Sequence, residues 1–274
     1  MNRTDSSPLP DYDAPPVIET VLGVQFTPLE KWDIPHFGMY WHDIRGDFPS
    51  FQVQPPLESE VERFDRPIGR RSLSLQLVSR PEVRCWFIDG TERTLVQIQR
   101  NRLTYNWRKR AGEDAYPHYE RATRPAFERE LTRFSGFLEQ HNLGCIDIIQ
   151  CEVTYVNHID IGDTWKSAAD LPQLFPSWSG ICSGSFLPPP DDVALNVTYR
   201  MPEKKGRLRV SVQPAIRTTD GVETLQLTLT ARGKPESGDL PSALRWLDLG
   251  REWVVRGFTD FTSKKMHAIW KRKV

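Results

Sequence analysis

The chain has 274 residues, of which 38% are hydrophobic and 26% charged, the composition of one large or two moderate globular domains. Lys plus Arg number 36 and Asp plus Glu number 36, so no global field draws the protein to nucleic acid or to a membrane surface. No apolar run is long enough to cross a bilayer, and the Pro-rich start MNRTDSSPLPDYDAPP lacks the apolar core of a signal peptide. Four cysteines without paired spacing (Cys85, Cys145, Cys151 and Cys182) fit reduced thiols and a cytoplasmic location.

Residues 1–15 read as a flexible lead, because Pro8, Pro10 and Pro15 block regular structure. VIETVLGVQF (17–26) then alternates Ile18, Thr20, Leu22, Val24 and Phe26 against Glu19, Val21, Gly23 and Gln25, the period of a strand. HFGMYWHDIRGDF (36–48) follows Pro35 and predicts a short aromatic helix. After a Pro- and acid-rich connection come four strand-like runs, 72–78, 83–89, 94–99 and 102–108. Arg100-Asn101 marks a tight turn between the last two. Phe127, Leu131, Phe134 and Leu138 then make one stripe of a helix, with Pro125 setting its start or a kink and Gly144 as a left-handed cap.

The second half repeats the order. IDIIQCEVTYVNHI (146–159) is its opening strand, and a short segment (165–175) and a Pro/Gly/Ser-rich loop (176–192) follow. Strands are expected at 194–201, 207–216 and 223–232, with Pro214 placing the end of the middle one at an edge or bulge. A helix begins near Ser242 with Trp253, Val254, Phe258 and Phe261 as its stripe, and Thr262 or Ser263 caps a last short helix. Each half thus reads β-α-(β)3–4-α, with boundaries at 16–143 and 144–274. LTYNWRKR and LTLTARGKP fall at equivalent places. The expected fold is α+β: two related halves forming antiparallel sheets with the long helices on one face. It is similar in topology to the duplicated saddle of the TATA-binding-protein-like group and to helix-grip folds.

Five blocks carry a family resemblance: PPVIETVLGVQFTPL (15–29), LVQIQRNRLTYNWRKR (95–110), YPHYE (116–120), CEVTYVNHI (151–159) and LDLGREWVVRGFTDFTSKKMHAIWKR (247–272). Together they resemble a sporadically distributed family of conserved hypothetical bacterial proteins. The resemblance spans nearly the whole chain and implies no activity, cofactor or catalytic residue. Its sporadic occurrence implies an accessory gene, such as a plasmid-borne or defence function. A homodimer or an operon-encoded protein partner is expected beside it.

The residues themselves offer two candidate sites. Glu19 and Gln25 are six apart on the first opening strand, as are Glu152 and His158 on the second, so a polar strip across the sheet is expected. Glu19, Glu152 and His158 are adequate acid–base equipment for a hydrolase or a nucleotide-processing enzyme. The competing reading is a solvated strand face tied by cross-strand hydrogen bonds. The second candidate is the hairpin in which Arg100, Arg102 and Arg108 surround Tyr105 and Trp107, within a stretch, 94–110, of five bases and no acid. Cations supply contacts for phosphates and rings supply stacking for bases. Against this, Leu103, Tyr105 and Trp107 alternate as core residues would, leaving the arginines on a solvated edge. Nucleophile elbows, phosphate-binding glycine loops and His-based metal motifs are all missing from the sequence, so no metal or cofactor is expected. The expectation is a non-catalytic binding protein recognising a ligand, nucleic acid or protein partner on its sheet face or basic hairpin. The alternative is the Glu/His enzyme.

Overall fold

In the computed structural model, which describes residues 7–59, 61–65, 82–110, 115–162, 164–179, 186–188 and 190–274, strand alternation becomes one nine-stranded antiparallel sheet. Its strands are β1 (Val17–Phe26), β2 (Ser50–Gln54), β3 (Arg84–Ile88), β4 (Thr94–Gln99), β5 (Arg102–Arg108), β6 (Ile148–Asp160), β7 (Leu195–Arg200), β8 (Arg207–Ile216) and β9 (Glu223–Gly233). They lie in the order β2-β3-β4-β5-β1-β6-β9-β8-β7. The two opening strands are therefore central neighbours, paired antiparallel from Val17 opposite Asn157 to Phe26 opposite Ile148. From that pair the order runs outward through β5, β4, β3 and β2 on one side and through β9, β8 and β7 on the other.

The expected strands at 83–89, 94–99, 102–108, 194–201, 207–216 and 223–232 match β3, β4, β5, β7, β8 and β9 within about a residue at either end. The run 72–78 lies outside the described residues. β2 had no forecast, since SFQVQ is short and flanked by Pro49 and Pro55; pairing with β3 makes it a strand. Pro214 lies in the stretch of β8 beyond the last β7 pairing, Leu195 opposite Val212, where the outer side of the strand pairs with no strand among the described residues. A missing N–H costs nothing there.

Five helices complete the described fold: α1 (Ile34–Ile44), α2 (Arg124–Gln140), the single turn α3 (Leu171–Leu174), α4 (Leu240–Phe261) and α5 (Lys264–Ile269). Local chemistry sets their ends. Asp33 and His36 form a reciprocal cap on α1, Asp239 accepts from Ser242 N at 2.7 Å, and Ser263 caps α5. α4 starts before Ser242 because Asp239 is the cap and Pro241 occupies the first turn. α2 starts at Arg124 with Pro125 in its first turn, after a wide turn at Tyr119–Thr123. Its left-handed cap is Asn142 (φ 57°), two residues before the expected Gly144. Leu143 N reaches back to Leu138 O at 2.9 Å, the 6→1 bond of a Schellman ending.

α2 and α4 both lie on one face of the sheet, α2 against β5 and α4 against β6, β9 and β8. The α2 stripe of Phe127, Leu131, Phe134 and Leu138 is buried as expected. Phe134 meets Trp32 at 5.1 Å and Tyr40 at 5.3 Å between ring centroids, which ties α1 into the same layer. On α4 the buried stripe is Leu247, Val254, Phe258 and Phe261; Trp253 is only partly buried, displaced to the side of the stripe. Gly250 and Gly257 let this helix settle close to the sheet. A Cβ at Gly257 would meet Leu208 Cδ2 at 2.4 Å, and one at Gly250 would meet Val153 Cγ2 at 3.0 Å.

This layer makes two differential predictions. Phe134→Ala should lower the unfolding free energy by about 3–5 kcal/mol in guanidinium titration. Trp253→Ala should cost well under half of that, because its ring already meets solvent.

Candidate functional site

The sheet face turned away from α2 and α4 is built of the alternate residues, and most are polar. Glu19 and Gln25 of β1, Arg102, Thr104, Asn106 and Arg108 of β5, and Gln150, Glu152, Thr154 and His158 of β6 share it with Gln97 and Gln99 of β4 and with Arg207 and Arg209 of β8. Strand geometry places them there, since a residue's partner across each ladder points to the same side.

Cross-strand hydrogen bonds knit this face together. Arg84 Nη1 donates to Gln97 Oε1 at 2.8 Å, Gln97 Nε2 to Asn106 Oδ1 at 2.8 Å, and Asn106 Nδ2 to Glu19 Oε1 at 2.7 Å, a chain over four strands. Arg232 grips Glu152 through Nε at 2.7 Å and Nη2 at 2.6 Å. Burial pushes the Glu19 carboxyl up, and the Asn106 donor together with Arg108 and Arg110 only partly offsets it. Burial lowers the His158 imidazole, and its Nδ1 has no partner among the described residues.

The three candidate acid–base groups do not converge. Glu19 stands opposite Val156, so His158 is its diagonal neighbour, within reach of a long side chain. Glu152 stands opposite Gly23, about 13 Å along the strand from Val156. Glu19 is held by Asn106 and Glu152 by Arg232.

The basic hairpin is divided between the two faces. Tyr105 and Trp107 are 7% and 5% exposed beneath the helix layer, whereas Arg102 and Arg108 point the other way. Those rings and those arginines share no surface. Arg100 donates to Leu29 O at 3.1 Å and pairs with Glu30 at 3.0 Å, at the turn. A ring that does stand among cations is Trp86 of β3, partly exposed, with Arg84 and Arg108 each 5.5 Å from its centroid. Alternation in RCWFI already set Arg84 and Trp86 on one face; that they meet Arg108 required the strand order.

A further feature had no sequence signal. Residues 55–59 and 61–65 run as a strap over the polar face, across the strands. Arg84 Nε donates to Pro55 O at 3.2 Å. The Gln99 amide brackets Leu57, its Oε1 accepting from Leu57 N at 2.8 Å and its Nε2 donating to Leu57 O at 3.0 Å. Arg102 Nη2 donates to Glu58 O at 3.0 Å, Ser59 Oγ to Gln25 Oε1 at 3.1 Å, and Glu62 N to Gln150 Oε1 at 2.7 Å. At the far end the Glu62 carboxylate is gripped by Arg207 and Arg209, while Arg207 also donates to Arg63 O at 2.9 Å and lies 4.3 Å over the Phe64 ring. The contacts step from β3 to β8, six strand spacings or about 28 Å. Pro55 to Glu62 could reach about 25 Å fully extended, and the long arginine side chains add to that span.

Most of these contacts address the backbone of the strap rather than its side chains. The backbone groups so addressed are common to every peptide, whereas the Glu62 carboxylate between two guanidinium forks is a contact specific to its side chain. Among the described residues no group of three or more His, Cys, Asp or Glu side chains is placed to hold a metal ion. No helix of the described residues is long and apolar enough to cross a membrane. Comparison with protein-family models, curated proteins and solved structures finds no match to this chain.

Two predictions follow from this face. Glu62 and Arg207 are 3% and 4% exposed, so Glu62→Ala strands a buried guanidinium and should cost about 3 kcal/mol in chemical denaturation; Glu62→Gln, which keeps an acceptor, should cost less. The depressed His158 pKa gives stability that is present above the ordinary imidazole value of 6.5 and is lost as the pH falls below it through the folded-state pKa. His158→Gln should therefore flatten the fall in unfolding free energy between about pH 7 and 5, measured by urea titration across pH.

Proposed function

We propose that this chain is a binding protein without catalysis of its own, and that its polar sheet face recognises an extended, acidic polypeptide segment. The observation that carries this reading is the double hydrogen bond of the Gln99 amide to both backbone groups of Leu57. A side chain that reads a residue's N–H and C=O together reads peptide. Arg102, Gln150 and Arg207 address the backbone in the same way further along. The strap is then an internal occupant, and a partner's segment with a carboxylate at the Glu62 position would take its place by exchange. A cytoplasmic accessory protein, paired with an operon-encoded partner or with its own copy, fits such a surface.

We also read the two halves as related by duplication in the manner of a TATA-binding-protein-like saddle. The outward strand order from β1 and β6 supports this, as does a repeated pairing: Glu19 stands opposite Arg108, and Glu152 opposite Arg232. Those arginines are the equivalent residues of LTYNWRKR and LTLTARGKP. The enzyme alternative rests on the Glu19–His158 diagonal; it is weaker because the carboxylates are already engaged. A nucleic-acid reading has one observation in its favour, Trp86 between Arg84 and Arg108.

A labelled peptide of residues 53–65 tests the proposal in trans. Wild type should bind it weakly, because its own strap competes at an effective concentration of order millimolar. The full-length Glu62→Ala protein should bind it at least about tenfold tighter, and adding Arg207→Ala should remove the gain. Absence of binding to both proteins, or binding indifferent to Arg207, would sink the polypeptide reading. Displacement of the strap by single-stranded RNA or DNA instead, with a steep salt dependence, would favour nucleic acid.

A further inference from the structure

On the opposite side of the sheet, between α4 and the central strands, lies a cavity of about 410 Å³, within the size range of small-molecule sites. Tyr155 and Asn157 of β6 and Leu229 of β9 form its floor; Val254, Val255 and Phe258 of α4 form an apolar wall. Lys109, Tyr116, His118 and Arg251 make a polar corner, and residues 10–15 close the top. That closure is anchored: Asp13 N donates to Lys271 O at 3.1 Å, Ala14 N to Trp270 O at 3.2 Å, and Tyr12 Oη bonds Thr259 at 2.9 Å.

We propose that this cavity binds a small, largely apolar carboxylic acid that carries a hydroxyl or N–H group. Charge selects the acid. The two carboxylates at the rim, Asp11 and Asp13, are both engaged by Lys273, whereas Lys109 has no ion pair among the described residues. Arg251 pairs with the exposed Glu120 at 3.2 Å and also meets the Tyr155 hydroxyl, while its buried Nε has no partner among the described residues. A buried guanidinium N–H without an acceptor is costly and calls for one. The Tyr116 and Tyr155 hydroxyls lie 2.5 Å apart. One proton joins them, and the other is left to donate to an acceptor in the cavity. Burial raises both phenols, so both stay protonated and serve as donors. The hydroxyl or N–H on the ligand answers Asn157, 1% exposed, whose Nδ2 donates to Leu227 O at 3.0 Å while its Oδ1 has no partner among the described residues. The valines and Phe258 supply the surface for an apolar body.

Calorimetric titration at pH 7 with 3-phenyllactate, 3-phenylpropanoate, 3-phenylpropanamide and inorganic phosphate tests the assignment. 3-Phenyllactate should bind best, the neutral amide about tenfold or more weakly, and phosphate not detectably. Arg251→Gln should bring the carboxylates down to the level of the amide. Val255→Trp, which fills the cavity but keeps Arg251 on the Tyr119 ring at 5.0 Å, should abolish binding of all three aromatic ligands. Thermal melts report whether each variant folds, and a misfolded Arg251→Gln leaves Val255→Trp to decide. No heat from either carboxylate at millimolar concentration, equal affinity for acid and amide, or unchanged binding by Val255→Trp would overturn the proposal. Glu62→Ala should bind these ligands as wild type does, which separates this site from the strap face.

Discussion

The antiparallel pairing of β1 with β6 is the constraint on which everything else rests. It joins two runs more than 120 residues apart and puts both at the centre of one continuous sheet. Because side chains alternate strictly along a strand, this single register decides which residues of both halves face the helices and which do not. A slip of β6 by one residue against β1 would bury Glu152 and His158 and expel Cys151 and Val153, so the register is held by the difference between a core and a polar face.

The two faces do different work. The helix side is apolar and aromatic, and it gains its stability from burial of rings and branched side chains. The other side is tied by amide and guanidinium hydrogen bonds, each worth little on its own in water and more where the strap excludes solvent. Glu62 illustrates the balance. A carboxylate between two arginines, one of them buried, is costly to desolvate and is stabilising only while both partners stay in place. That makes it a poor source of net stability and a position sensitive to the loss of either partner.

The central pair also fixes where a small-molecule cavity can form. Around Tyr155 and Asn157 the core face of the sheet is bounded by α4, by Lys109 at the end of β5 and by the lead residues 10–15, and these surfaces leave a space that none of them fills. The polar strap face and this cavity lie on opposite sides of the same two strands.

The sequence by itself determined the elements and their faces. Period-two alternation located eight of the nine strands, the Phe127–Leu138 stripe located α2, and Ser263, one of the two caps expected for the last helix, caps α5; the caps at Asp33 and Asp239 lie ahead of the expected helix starts. It determined that Leu103, Tyr105 and Trp107 share a side of β5, and that Glu19, Glu152 and His158 lie on polar faces. Periodicity is a property of neighbours in the chain, so it is written locally. Tertiary structure alone decided what those faces meet. Glu19 and Glu152 were legible as candidates, but their distance from one another depends on the register between β1 and β6, and their engagement with Asn106 and Arg232 depends on partners 87 and 80 residues away. Trp86 among arginines, the strap held by Gln99 and Arg207, and the cavity over Asn157 are likewise assembled from distant segments. Such contacts leave no periodic trace, because they are set by strand order and by the space left between layers, which no stretch of the chain encodes on its own.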